Sequence, residues 1–202
     1  KNPDKLKNCD TLVVGGGDSG YQILDEISSH STNKVYFAGD TKVSTLPQEI
    51  LGKTLWWWFT KLGYLSFSKN SWLGKYISQG KQPIIGTDVK GILNRENVIP
   101  VGKCNDANAN IIYTEEKKLD QIKNIIWATG YRPNFDWIDG LELDKNGYPT
   151  HKRGVSNIKG LYFIGLPWLH TRGSATLGGI KEDATYLSNY IKEHQLKVLE
   201  MA

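Results

Sequence analysis

Residues 9–20 read Cys-Asp-Thr-Leu-Val-Val-Gly-Gly-Gly-Asp-Ser-Gly, an apolar run, a glycine cluster and the start of a helical pattern. A Gly-x-Gly-x-x-Gly spacing alone is a weak signal. Between a buried strand and a helix, at the opening of a βαβ unit, it narrows the fold sharply because each glycine has a separate task. Gly15 permits a tight turn, Gly17 lets backbone N–H groups approach a pyrophosphate, and Gly20 lets the helix lie close to its strand. The helix that begins at Asp18 and Ser19 then offers unpaired donors and a positive dipole end to phosphates. Asp18 or Ser19 is suited to cap it.

The rest of the unit follows in order. Leu12 to Val14 is short and apolar, as central parallel strands are. Tyr21, Ile23, Leu24 and Ile27 recur at helical spacing, and the pattern ends near Ser29–Ser31. Lys34 to Ala38 reads as the second strand, ending at Gly39-Asp40. A carboxylate there would bind the ribose hydroxyls of NADH, whereas a cation would favour the 2′-phosphate of NADPH. Asp40 and Lys42 are both present, so the cofactor choice stays open at this position.

Farther along, residues 53–62 and 72–78 read as short helices that hold most of the tryptophan. These indoles form either a substrate wall or a helix packed against the sheet with one face under a partner domain. Residues 88–93 suggest a helical turn, and 98–101 a third parallel strand. Residues 110–113, 118–121 and 124–128 are close-spaced strands without helices between them, an antiparallel meander whose last strand returns to the main sheet. Residues 130–155 are broken repeatedly by glycine and proline. Residues 160–165 read as another buried strand, and a final helix is expected from about Ala175 to His194, with Leu177, Ile180, Ala184, Leu187 and Ile191 on one face.

The composition excludes several classes. Among 202 residues the net charge is only +4, with basic and acidic residues interspersed, so nucleic acid is not an expected partner. Two cysteines, Cys9 and Cys104, form no metal-ligand or Cys-x-x-Cys spacing, which fits small core residues in a reducing compartment. The first eight residues are polar and carry no apolar leader segment, and no run reaches membrane-span length. A cytoplasmic location without a membrane partner is the expectation.

Residues 127–135, Trp-Ala-Thr-Gly-Tyr-Arg-Pro-Asn-Phe, taken with Gly15 to Gly20, resemble the flavin-containing monooxygenases, particularly the bacterial flavoproteins of the cation-efflux-associated oxidoreductase type. Residues 160–168 and the glycines from Gly173 to Gly179 resemble that family's closing FAD-domain segment. The resemblance covers nearly the whole chain. It implies a three-layer, Rossmann-like FAD/NAD(P)-binding α/β fold, with a parallel sheet and an antiparallel β-meander. It further implies that the glycine turn binds NADPH, that Thr129 and Gly130 link back toward the FAD domain, and that Gly165 lies beside the flavin. NADPH then reduces FAD, which activates O₂, while the protein positions the substrate and excludes water. Residues 1–130 would be the NAD(P)H-binding domain, and 131–202 a linker with the C-terminal part of an FAD-binding domain.

Departures matter as well. The family's separate FAD-binding Gly-x-Gly-x-x-Gly and its Phe-x-Gly-x-x-x-His fingerprint do not occur, so this chain resembles the family from the middle of its pattern onward. Asp18 stands where many relatives have Asn. Leu166 stands where many two-dinucleotide reductases place a flavin-binding Asp. The flavin would therefore need a missing N-terminal half or a partner chain, and a homo-oligomer is compatible with this. His170, Arg172 and Ser174 fit groups beside a flavin, or equally a polar loop residue, an ion-pair partner and a helix cap. No catalytic residue or metal site is assigned.

A disulfide reductase would need a cysteine pair. A short-chain dehydrogenase would need Tyr-x-x-x-Lys on a helix, and Tyr113–Lys117 and Tyr148–Lys152 fall on a turn and beside Pro149. The remaining alternative is a non-catalytic NAD(P)H-binding sensor or a subunit completed by another chain.

Overall fold

The structure, a computed structural model, describes residues 6–200, with 195–200 as helix backbone only. In chain order the elements begin with β1 (Thr11–Val14), α1 (Asp18–His30), β2 (Val35–Ala38), β3 (Thr45–Leu46), β4 (Glu49–Ile50), β5 (Lys53–Thr54), α2 (Leu55–Lys61) and α3 (Trp72–Gln79). They continue with β6 (Ile84–Ile85), α4 (Val89–Leu93), β7 (Val98–Pro100), β8 (Cys104–Asn108), β9 (Ile111–Thr114), β10 (Lys118–Asp120), β11 (Asn124–Trp127), β12 (His151–Lys152), β13 (Val155–Ser156) and α5 (Ile180–Glu200).

These elements form two units. The first holds the chain up to Ile50 together with Gln82–Tyr131, and the second holds Leu51–Lys81 together with the chain from Arg132 onward. Sequence reading places residues 51–81 in the first of these. The structure places them in the second, and the cause is backbone hydrogen bonding. Gly173 N donates to Leu65 O at 2.8 Å, Arg172 N to Phe67 O at 3.0 Å, and Lys69 N to His170 O at 2.8 Å.

In the first unit a four-stranded parallel sheet runs in the order β11-β1-β2-β7. Side chains alternate across it. Val13, Val35 and Phe37 face α1 and α4 and pack with Tyr21, Leu24 and Ile92. Leu12, Val14 and Ala38 face the opposite way and pack with Val101 and Leu119, beneath the antiparallel sheet β10-β9-β8. Helices, parallel sheet and meander make the three layers. Truncating a fully buried side chain such as Leu24 to Ala would cost about 2–5 kcal/mol.

Arg95 fixes α1 beside the strand that follows α4. Its Nη1 donates to Asp25 O at 2.9 Å and to Ser28 Oγ at 2.6 Å, and its Nη2 donates to Asp25 Oδ1 at 2.5 Å. Cys9 and Cys104 are both free and half-buried rather than fully enclosed. Burial raises the Cys104 thiol pKa above its ordinary value.

In the second unit β12 and β13 form a hairpin whose turn residues, Arg153 and Gly154, have φ of 49° and 87°. That pair of positive angles matches strand twist in two-residue hairpins. Phe163 N donates to Gly154 O at 2.7 Å. Residues 160–165 do not form the expected buried strand. Among the described residues Tyr162 makes only an isolated bridge to Val155, and Gly160 and Gly165 both have positive φ.

The last helix starts at Ile180, not Ala175. Three glycines at 173, 178 and 179 favour turns there, closed by Thr176 N on Gly173 O at 2.8 Å and Gly179 N on Thr176 O at 3.1 Å. Leu177 consequently lies outside the helix and is 98% exposed, and Ala184 is exposed too. The helix that begins at Leu55 packs on the turn at Tyr64–Ser66, with the rings of Phe59 and Tyr64 4.5 Å apart.

Candidate functional site

The C-terminal ends of β1, β2 and β11 finish in register, with Val14 opposite both Ala38 and Trp127. From β1 the chain passes through α1 to β2 on one side, and much later returns as β11 on the other. The strand order thus reverses at β1, and ligands of open α/β sheets bind at such a switch point. Gly15, Gly17, Asp18, Ser19 and Gly20 stand there on the turn from β1 to α1. Asp40 and Lys42 follow β2, and Thr129 and Gly130 follow β11.

The glycines differ in what surrounds them. Gly15 has φ of 126°, and a β-carbon on it would lie 2.2 Å from Ala128 O. A β-carbon on Gly20 would lie 1.9 Å from Gly15 O. Gly17 is different: a β-carbon there would meet nothing within 4 Å. It is the N-cap of α1, in an extended conformation and with no side-chain cap. The expectation that Asp18 or Ser19 caps the helix is therefore corrected. Both lie inside the first turn and are exposed, so among the described residues no side chain caps the helix start.

Sequence reading passed over Gly16, whose β-carbon would lie 2.6 Å from Asp40 N. The signal was present in the unbroken run Gly15-Gly16-Gly17. It presses the turn against the end of β2, so that Asp40 is held by backbone as well as side-chain contacts. Asp40 O accepts from Tyr21 Oη at 2.9 Å, and Asp40 Oδ1 accepts from Lys42 N at 3.0 Å. Burial first, and the Asp40 charge second, push the Tyr21 phenol pKa up to about 12. Asp40 is half-buried and Lys42 exposed. Thr129 and Gly130 are exposed, Gly130 with φ of 85°.

Gly165 belongs to the second unit. Its φ is 78°, and a β-carbon there would approach Ile180 Cδ1 at 3.6 Å. Near it in sequence, Ser174 is fully buried. Its Oγ accepts from His170 N at 3.1 Å and Thr171 N at 2.9 Å, so it closes a turn instead of capping the helix. Arg172 lies over the Trp168 ring at 5.8 Å. In α5, Asp183 is 1% exposed. Its Oδ1 stands 3.4 Å from Arg153 Nε, and its Oδ2 has no hydrogen-bond partner among the described residues.

A glycine turn and an uncapped helix N-terminus at the switch point of a parallel sheet, with a meander on the other face, define a Rossmann-like FAD/NAD(P)-binding fold. Solved flavin enzymes share it. A flavin-containing monooxygenase from Stenotrophomonas maltophilia is 18% identical with a TM-score of 0.58, over 92% of this chain and 50% of that one. The ornithine N-hydroxylase of Kutzneria sp. 744, solved with reduced FAD, NADP⁺ and L-ornithine, is 14% identical with a TM-score of 0.64, over 96% of this chain and 56% of that one.

In sequence the chain is 41% identical over 194 residues to the oxidoreductase named CzcO-like from Geobacillus kaustophilus, covering 96% of this chain and 55% of the relative. The indole-3-pyruvate monooxygenase YUCCA4 of Oryza sativa is 27% identical over 216 residues, covering 91% and 47%. The chain thus has CzcO-type oxidoreductases and, more distantly, flavin-dependent monooxygenases as homologues. It spans about half the length of the curated relatives it matches. No family model matches it.

Proposed function

We propose that the crevice at the ends of β1, β2 and β11 binds NADPH, and that this chain is the NADPH-binding portion of a flavin-dependent monooxygenase. The observation that carries the reading is the open space beside Gly17 in front of uncapped α1 amides. A diphosphate fits there, because a helix N-terminus supplies both N–H donors and a favourable dipole. When bound, NADPH supplies the hydride that reduces a flavin for O₂ activation.

The chain's own residues position and select. Gly15, Gly16 and Gly20 hold the turn in contact with its neighbouring backbone, and the first-turn amides of α1 take the pyrophosphate. Asp40 and Lys42 face the choice between ribose hydroxyls and a 2′-phosphate, and Thr129 and Gly130 close the β11 side. The flavin is proposed to lie mainly on sequence or a partner chain beyond these residues. That reading is supported by the half-length match to the relatives and by the presence of one Gly-x-Gly-x-x-Gly turn rather than two.

Trp127 ends β11 and is largely exposed, so it can report the ligand. Titration of the purified chain with NADPH should quench tryptophan fluorescence saturably. No response to either NADPH or NADH would overturn the assignment.

A further inference from the structure

Charge is not interspersed everywhere in this chain. Residues 51–81 hold five lysines (Lys53, Lys61, Lys69, Lys75 and Lys81), no arginine and no carboxylate, although the whole chain carries only +4. The remainder is close to neutral. The same stretch holds four of the seven tryptophans, and all five lysines are exposed.

Apolar groups in this segment face solvent as well. On α3, Trp72 and Tyr76 are one turn apart and 80% and 76% exposed, with Lys75 exposed on the same side. Gly74, on the other side of that helix, is buried, and a β-carbon there would lie 2.0 Å from Ser68 O. The exposed stripe is therefore the face α3 does not use for packing. Leu51 and Leu62, just before and just after the α2 segment, are 88% and 71% exposed, and Lys53 lies 5.8 Å over the Trp57 ring.

We propose that residues 51–81 seat the second unit on the surface of an anionic phospholipid bilayer. Tryptophan and tyrosine favour the headgroup level, where an apolar ring and a polar edge are both satisfied. Lysine stems run along apolar surface while the ammonium stays among lipid phosphates. Composition separates this occupant from others. Protein interfaces are enriched in arginine and depleted in lysine, the reverse of this segment. A nucleic acid would pair with the lysines and rings but would leave Leu51 and Leu62 uncovered. Binding is peripheral, since among the described residues no helix is long and apolar enough to cross a membrane.

The test is flotation of the full chain with vesicles of equimolar phosphatidylcholine and phosphatidylglycerol, and with phosphatidylcholine alone. The chain should float with the anionic vesicles only, and release at about 1 M salt, where the screening length falls to about 3 Å. The double variant Lys61→Gln/Lys75→Gln should lower partitioning about 25-fold, on the order of fivefold per lysine. Trp72→Ala/Tyr76→Ala should abolish flotation with the anionic vesicles, and both variants should keep the wild-type circular dichroism spectrum and NADPH response. No flotation, equal flotation with neutral vesicles, or undiminished binding by both variants would overturn the proposal. So would a lysine-dependent dimer, or binding to single-stranded DNA, without vesicle binding.

Discussion

The carbonyl oxygen of Ala128 and the α-carbon of Gly15 are packed so closely that a β-carbon on Gly15 would lie 2.2 Å from that oxygen. Gly20 is held the same way against Gly15 O, at 1.9 Å. A β-carbon on Gly17 would meet nothing within 4 Å. Three glycines with one spacing therefore do unequal work, and substitution separates them.

Gly20→Ala should destabilise the fold by about 3 kcal/mol or more, because rigid backbone cannot yield to the added carbon. Gly17→Val should lower the unfolding free energy measured in urea by only about 1 kcal/mol, the cost of a poorer N-cap residue, while lowering NADPH affinity by at least about tenfold, the side chain occupying pyrophosphate space. Denaturation and fluorescence titration measured on both variants test the pair. A Gly17→Val protein that binds normally would remove the ligand from this turn.

Asp40→Ala should shift selectivity toward NADPH. A carboxylate near a 2′-phosphate costs about 1 kcal/mol at 4 Å in water, so the NADPH-to-NADH affinity ratio should rise about fivefold. Parallel titrations with the two cofactors decide it, and an unchanged ratio would mean that Asp40 does not face the ribose.

Tyr21 sets an alkaline limit. Its phenol pKa rises from 10.0 to about 12 on folding, so the native state holds that proton more tightly. Stability from this group is complete below about pH 10 and is lost as pH climbs through about 12. Tyr21→Phe should cost about 1 kcal/mol at neutral pH, through the hydrogen bond lost to Asp40 O. Urea melts as a function of pH should also show a weaker alkaline decline for the variant.

His151 sets the opposite limit. Its Nδ1 accepts from Gly154 N at 3.1 Å, and burial first, then Lys69, lower its pKa against the opposing pull of Asp144 and Asp183. A folded pKa below the unfolded one gives stability that is present above about pH 6.5 and lost as pH falls through the folded value. His151→Gln keeps an acceptor without a titrating ring. Its melting temperature should fall less than that of wild type as the pH is lowered below about 6.5.

The parts of the fold legible in sequence are those where burial writes a pattern. β1 and β2 are apolar because parallel strands are covered on both faces, β11 shows as an apolar run although it lies at the sheet edge with Ile125 and Trp127 exposed, and α1 shows because its buried side recurs at helical spacing. β8 is Cys-Asn-Asp-Ala-Asn and almost wholly exposed, so no periodicity marks it. It exists because β9 offers a partner backbone. Residues 160–165 are the converse, an apolar run that reads as a strand yet finds only one bridge. The site's glycines were legible by spacing, but the uncapped helix start was not, because Asp18 and Ser19 look like good caps until the backbone places them one and two positions past the N-cap.

The neighbour that completes β1 is the last strand of its unit to be made. Thr11 and Asn124 bond across a sequence separation of 113, and the Leu51–Lys81 excursion lies between them. During synthesis, the first βαβ unit thus emerges with its glycine turn lacking Ala128 above it and one edge of β1 unpaired. A nascent chain is exposed to misassembly throughout that interval, as slow long-range pairing generally is. Ribosome-stalled chains should gain NADPH-dependent protease resistance only after Ala128 has left the exit tunnel.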